Sequence, residues 1–502
     1  MPSHRPSLPL RATAATLCLQ LLLTGCSATA QSVVWPQPAP QTTPTVVQPG
    51  FQAPSATHCA RPVQTREVPG SQHGQNGPAP YPTPREHGAK AAADDAAPAA
   101  LALPSRSARL SRAEADAGRI AAAPPSVASE SRHLPAPAPQ APRQTTVTAG
   151  MVDDNANFSD YLAFRQRTQV AHRPRDVAER TLLEVRDAQG RGVPDAEVVV
   201  QSAQGHAMWA RTDAAGKVWL HPNAFDPAQA RVYDVTVRQG GRQAHAVLQR
   251  GQKSALEVRL GGSGAHQRAQ LDLVFLIDAT GSMGDEIGKL KATLRAIANE
   301  VAQLPSRPDL CFGLVAYRDK GDQFLLRSHD LTNDLGAFQG VLNALQANGG
   351  GDYPEAMNEA LNDTVHNLSW RGNGTTRLVF LLADAPPHLD YGGPQYDDDM
   401  LAALGKGIKI FGVGASGLDK QGEYIQRQIA QYTGGRFVFL TYANASQPAS
   451  GPGRETVHDV KNYSVDTLDR LIVRLVREEL AQRPAPDRAV GQQFRDPGLA
   501  GL

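Results

Sequence analysis

The chain has 502 residues, with 50 basic and 49 acidic side chains and a net charge of +1. The two signs are interspersed without a block of either, which argues against a nucleic-acid-binding stripe or a polybasic membrane patch. Its 38 Pro and 45 Gly gather outside the stretches of apolar periodicity, so only part of the length is expected to fold.

The N-terminus reads as an address. Basic residues in Met1 to Arg11 precede an apolar run from Ala12 to Leu23 that is too short to span a bilayer comfortably. Leu23-Thr24-Gly25-Cys26 follows and resembles a bacterial lipobox. The resemblance implies a signal peptide over residues 1–25, cleavage before Cys26 and lipidation of Cys26. It places the chain at the bacterial cell envelope, and Ser27 would favour the outer membrane in Gram-negative sorting. Cys18 leaves with the signal. Cys59 lies in low-complexity sequence and Cys311 opens an apolar run, so no structural disulfide is expected.

Residues 26–150 are rich in Pro, Ala, Gln and Ser, with little apolar surface beyond Ala to offset ordering. They predict a disordered stalk of about 120 residues, with a contour of roughly 400 Å at ~3.3 Å per residue. Residues 180–262 change character: Leu182-Leu183-Glu184-Val185, Glu197 to Val200, Val218-Trp219-Leu220 and Val232 to Val237 are short runs separated by Gly and Asp turns. That pattern predicts a small antiparallel sandwich. Val-Arg-Asp with Val193-Pro194-Asp195-Ala196, and Thr212-Asp213-Ala214-Ala215-Gly216-Lys217-Val218, resemble immunoglobulin-like and carboxypeptidase-regulatory-like modules. Such modules act as spacers or docking surfaces.

Residues 268–482 form the main domain. Leu271 to Ile277 reads as a buried strand. Ile287, Leu290, Leu294, Ile297, Val301 and Leu304 line one helical face. Further strands are expected at Cys311 to Tyr317, Phe324 to Arg327, Leu378 to Ala383, Ile408 to Val413 and Phe437 to Leu440. Helices are expected at Leu335 to Leu345, Pro354 to Val365, Asp398 to Leu404, Glu423 to Tyr432 and after Leu468. The alternation predicts an α/β fold with a doubly wound, mostly parallel sheet flanked by helices. Residues 483–502 are expected to be a disordered tail.

In such sheets ligands gather at the carboxyl ends of the central strands. Those ends carry Asp278-Ala279-Thr280-Gly281-Ser282-Met283, Gly349-Gly350-Gly351-Asp352-Tyr353-Pro354-Glu355 and Ala383-Asp384-Ala385. Carboxylates and hydroxyls are hard donors, which suit Mg²⁺, Mn²⁺ or Ca²⁺. Asp-x-Thr-Gly-Ser-Met after an apolar strand, with a later strand ending in Asp, resembles the metal ion-dependent adhesion site of von Willebrand factor A domains. The resemblance implies that Thr280 and Ser282 bind the ion directly, while Asp278 and Asp384 hold coordinated waters. The family pattern has Ser where Thr280 stands and a Thr where Gly351 falls. Asp352 beside it is therefore a candidate ligand, directly or through water. His388 and Asp390, on the Asp384 loop, are candidate partner contacts.

The function expected is a membrane-anchored, divalent-metal-dependent protein-binding module that engages a protein partner, with an acidic side chain of the partner as the candidate contact to the ion. No nucleic-acid binding is expected. The alternatives are an envelope scaffold whose metal only stabilises the fold, and a metal-dependent hydrolase. The chain lacks GxxxxGK[ST], HExxH and GxSxG motifs, so no enzyme is expected.

Overall fold

Gln270–Asp278 is buried from Leu271 onward because helices cover both faces of the sheet it centres. The computed structural model describes residues 59, 64–70, 146–262, 269–351, 353–372 and 374–483. In chain order, β1 (Thr65–Val68) and β2 (Thr148–Val152) precede helix α1 (Phe158–Arg167). A β module follows: β3 (Thr181–Arg186), β4 (Glu197–Ser202), β5 (Ala207–Arg211), β6 (Lys217–Leu220), the single turn α2 (Pro222–Phe225), β7 (Val232–Gln239), β8 (Arg242–Gln249) and β9 (Leu256–Arg259). The main domain begins with β10 (Gln270–Asp278), α3 (Gly284–Ala302), β11 (Asp309–Tyr317), β12 (Leu326–Thr332), α4 (Leu335–Ala344) and α5 (Met357–Asn367). It continues with β13 (Thr375–Ala383), α6 (Tyr396–Lys406), β14 (Ile408–Gly414), α7 (Lys420–Thr433), β15 (Phe437–Thr441), β16 (Asp466–Thr467) and α8 (Leu468–Ala481).

The nine-stranded sheet runs β1-β12-β11-β10-β13-β14-β15-β2-β16. Its five central strands, from β11 to β15, are parallel, and its margins are antiparallel. The sheet is thus mixed rather than purely parallel. Helices α5, α6 and α7 pack on one face and α3, α4 and α8 on the other. The apolar stripe predicted for α3 is buried, from Ile287 to Leu304. Local signals fix several ends: Asp334 and Asp419 cap α4 and α7, accepting hydrogen bonds from the amides of Ala337 and Gly422. Gly407 and Gly434 stop α6 and α7 in the left-handed region, at φ 67° and 80°.

Two margin strands correct the sequence reading. β1 and the start of β2 lie in the segment expected to be a disordered stalk, yet β1 pairs with β12 and β2 with β15 and β16. A disulfide joins Cys59 to Cys311 across 252 residues, where none was expected. The physical reason is register: β1 brings the N-terminal segment along the sheet edge against β12, one strand out from β11, which carries Cys311 near its start. The signal peptide, Cys26, the rest of the stalk and the tail beyond Arg483 lie outside the described residues. Among the described residues, no helix is long and apolar enough to cross a membrane.

The β module has a three-stranded sheet, β6-β3-β9, and a four-stranded sheet, β5-β4-β7-β8. All its pairs are antiparallel except β3–β9, which is parallel. Leu183, Val198, Val235 and Leu248 from its two sheets belong to the same buried cluster as Met400 of α6 and Ile429 of α7. The module and the main domain therefore share core, and α7 is buried on all sides from Gly422 to Thr433.

Candidate metal centre

Asp278 ends β10 and Asp384 follows β13. These strands are parallel neighbours in register, Ile277 opposite Leu382, so both carboxylates stand at the same end of the sheet. Past Asp278 the chain turns. Asp278 Oδ1 accepts from the Thr280 amide at 2.9 Å and the Thr280 hydroxyl at 2.6 Å. The Thr280 and Ser282 hydroxyl oxygens are 3.0 Å apart. Asp278 and Thr280 are fully buried, whereas Ser282 faces solvent at the mouth of the site. The central loop closes over this turn, with the Gly281 amide donating to the Gly349 carbonyl at 3.0 Å.

The electrostatics are strained in the way a cation would relieve. Asp278 Oδ2 and Asp384 Oδ1 are buried without hydrogen-bond partners, an arrangement that costs free energy unless something charged or donating completes it. Burial, with the Asp384 charge beside it, pushes the Asp278 carboxyl up to about 7. Burial raises Asp384 as well; Glu286 adds to this, and hydrogen bonding from Ser282 opposes it. Tyr317, opposite Asp278 in β11, is pushed well up by burial and by Asp278, Asp384 and Glu355. Among the described residues no group of three or more His, Cys, Asp or Glu is gathered for an ion. The donors brought together are two carboxylates and two hydroxyls, oxygen ligands that fit a hard divalent cation.

Four of the expected residues, Asp278, Thr280, Ser282 and Asp384, come together here. Asp352 lies outside the described residues. Glu355 was missed: it is buried, its backbone bridges Pro387, and a Cβ on Gly350 would lie 3.1 Å from its Oε1 and 3.2 Å from the Thr280 Cβ. Its carboxylate thus borders the Thr280 turn. The Gly-Gly-Gly-Asp-x-Pro-Glu run carries that signal, although its Pro also suits a first helical turn. The helix begins only at Met357. His388 is not an open contact on its loop: it is buried, stacks on Tyr391 with centroids 3.5 Å apart, and reaches Asp390 at 3.1 Å and Asp319 at 3.7 Å. Asp390 is exposed. Asp397 is held in ion pairs by Arg173 and Arg175, and Asp399 is hydrogen-bonded by His366 Nε2 at 3.0 Å and Asn362 at 2.9 Å.

A pH dependence follows for the metal-free chain. The folded Asp278 carboxyl titrates above its unfolded value, so its stabilising contribution is complete below about pH 4. That contribution is lost as pH rises toward 7. Asp278→Asn removes the titration. In chelator, its thermal midpoint is expected to gain on wild type between pH 5 and pH 8; a gap that narrows over this range is the contrary result.

A family model for the von Willebrand factor A domain matches residues 272–391. Over 121 residues the chain is 31% identical to an ariadne-like RING finger protein of Acanthamoeba polyphaga mimivirus, covering 24% of this chain and 12% of the relative. It is 30% identical over 123 residues to alpha-protein kinase vwkA of Dictyostelium discoideum, covering 24% and 19%. With von Willebrand factor A domain-containing protein 7 of Mus musculus it shares 34% over 115 residues, covering 23% and 12%. The chain thus spans 12–19% of the length of these relatives. Among solved structures, the SpRpn10 VWA domain aligns with 32% of this chain and 82% of its own, at 16% identity and a TM-score of 0.24.

Proposed function

We propose, from the premise that residues 272–391 form a von Willebrand factor A domain, that the chain is a divalent-cation-dependent protein-binding module held at the bacterial cell envelope by a lipid on Cys26. Such domains are generally protein-interaction modules. The observation that carries the cation is the pair of buried carboxylate oxygens without hydrogen-bond partners, Asp278 Oδ2 and Asp384 Oδ1, beside the Thr280 and Ser282 hydroxyls. Thr280 and Ser282 would hold Mg²⁺, Mn²⁺ or Ca²⁺, and the two aspartates would balance its charge. A bound cation supplies an electrophilic point for a partner's carboxylate. Ser282, exposed at the mouth, lies on the side a partner reaches.

The Cys59–Cys311 disulfide supports an oxidising compartment, which agrees with export. The reading is of binding, not catalysis. The stretch shared with the Dictyostelium kinase is 19% of that protein, so its activity is not carried over.

The test is calorimetric titration of Mg²⁺, Mn²⁺ and Ca²⁺ into the full chain and into an Asp278→Ala/Ser282→Ala variant, followed by capture from envelope extract with and without chelator. One ion bound by wild type and none by the folded variant is expected, with a captured protein that chelator releases. Absence of binding for all three ions overturns metal dependence. Capture indifferent to chelator overturns adhesion through the cation and leaves a scaffold role.

A further inference from the structure

Cys59 and Gln64 to Gly70 lie along the outer edge of the nine-stranded sheet as a strap. The strap is fastened at several points. Cys59 is bonded to Cys311 of β11. β1 pairs with β12 from Thr65 opposite His329 to Val68 opposite Leu326. Arg66 forms an ion pair with the buried Asp363 of α5, and Glu67 accepts from Arg327 at 2.8 Å.

The far end of the strap bears on the metal loops. Gly70 lies flush against the β11–β12 loop: a Cβ there would sit 2.1 Å from the Asp322 carbonyl oxygen. The Asp322 side chain in turn holds the central loop. Its Oδ2 accepts from the Gly350 amide at 2.8 Å and from the Asp319 amide at 3.1 Å. Gly349 is pressed so close to that carboxylate that a Cβ would fall 2.3 Å from Oδ1. The Gly349 carbonyl then accepts from Gly281, the residue between Thr280 and Ser282. From Gly70 to Gly281 each link is a direct contact, and a Cβ at Gly70, Gly349 or Gly281 would fall within 3 Å of a neighbouring atom.

We propose that the strap positions the metal loop through Asp322, so that breaking the Cys59–Cys311 bond weakens cation binding. This rests on the cation reading given above. Asp322 is a positioning residue: it touches the loop that touches the site. The switching chemistry is thiol–disulfide exchange with a dithiol reductant. One reductant thiolate attacks a sulfur and the Cys59–Cys311 bond breaks. The second thiolate resolves the mixed disulfide. Two electrons and two protons end on Cys59 and Cys311 as thiols, and the reductant becomes its own disulfide.

The test compares oxidised full chain with a Cys59→Ala/Cys311→Ala variant and with Asp322→Asn. Mg²⁺ affinity is measured by calorimetry, and amide hydrogen exchange at Gly281 and Gly350 is measured in chelator. Both variants are expected to bind Mg²⁺ about 10–100-fold more weakly, the usual effect of removing support behind a metal ligand. Both are also expected to exchange faster at the two glycines. Folded variants with wild-type affinity and unchanged exchange overturn the proposal. If the cysteine variant does not fold, wild type reduced by the dithiol in native buffer takes its place, and unchanged affinity and exchange on reduction overturn the proposal. If the oxidised wild type binds no cation, the metal reading fails by itself, and unchanged exchange at Gly281 and Gly350 then also overturns the strap.

Discussion

Replacing Asp195 with Asn is expected to lower the unfolding free energy by about 3–5 kcal/mol, the range for breaking a buried ion pair from one side. Asp195 precedes β4 and is 4% exposed. Its carboxylate receives Arg377 of β13 at 2.9 and 3.3 Å, the Gly374 amide at 2.6 Å and Arg211 of β5 at 3.4 Å. One side chain of the β module thus ties two arginines, one from each part of the molecule. Removing its charge takes a carboxylate from both guanidiniums at once, leaving Arg377 to the carbonyls of Arg371 and Gly372 and Arg211 to Glu197 at 3.8 Å. Asn is the right replacement because Asp195 sits at φ 57°, a conformation that Asn tolerates and Ala does not. Urea unfolding of wild type and variant measures the effect. A change below about 1 kcal/mol would mean that apolar contact alone docks the module.

Arg427→Met is expected to cost a similar amount, about 3–5 kcal/mol, by the same mechanism on the other side of α7. Arg427 donates to Asp154 through Nε at 2.9 Å and Nη2 at 2.7 Å, to Glu423 at 3.0 Å, and lies 3.7 Å from the Phe164 ring centroid. All three charged groups are buried. Burial already holds the Asp154 carboxyl above its ordinary value, with Arg427 opposing. Without Arg427 it rises further. A carboxyl raised in the folded state stabilises below its unfolded value and loses that contribution as pH rises. The deficit of the variant should therefore be smaller at pH 5 than at pH 8 in parallel denaturation curves. A deficit that grows on acidification would assign the loss to packing against Phe164.

The main domain was legible because its strands and helices declare themselves by period. Leu271 to Ile277 is apolar throughout, and the stripe from Ile287 to Leu304 keeps helical spacing. The acid–hydroxyl turn at Asp278 was legible for the same reason, since a strand end fixes where the next polar residues stand. What escaped notice has no local signal. Thr65–Val68 is a four-residue strand that is mostly exposed, and Thr148–Val152 is built of small residues. Both are strands only because partners far along the chain hold them. Arg427, on α7, and Asp154, in the turn between β2 and α1, look solvated until α1 and the Asp459 segment close over them. Glu355 looked like an ordinary first-turn acid until the loop folded back on Thr280. His388 looked like surface until Tyr391 stacked on it.

The two margin strands also set an order of events during synthesis. Thr65 meets His329 across 264 residues, and Thr148 meets Thr441 across 293. The sheet therefore cannot close at either margin when its own N-terminal strands emerge. β1 waits for β12, and β2 waits for β15 and for Asp466 and Thr467 almost at the end of the described chain. The β module, encoded between β2 and β10, can assemble its own strand pairs while the larger sheet is unfinished. Until their partners arrive, β1 and β2 are themselves strands with open hydrogen-bonding edges, the kind of surface that pairs with neighbouring chains. Closure of the sheet is therefore left to Asp466 and Thr467, so how long an edge stays open depends on how quickly the C-terminal residues follow.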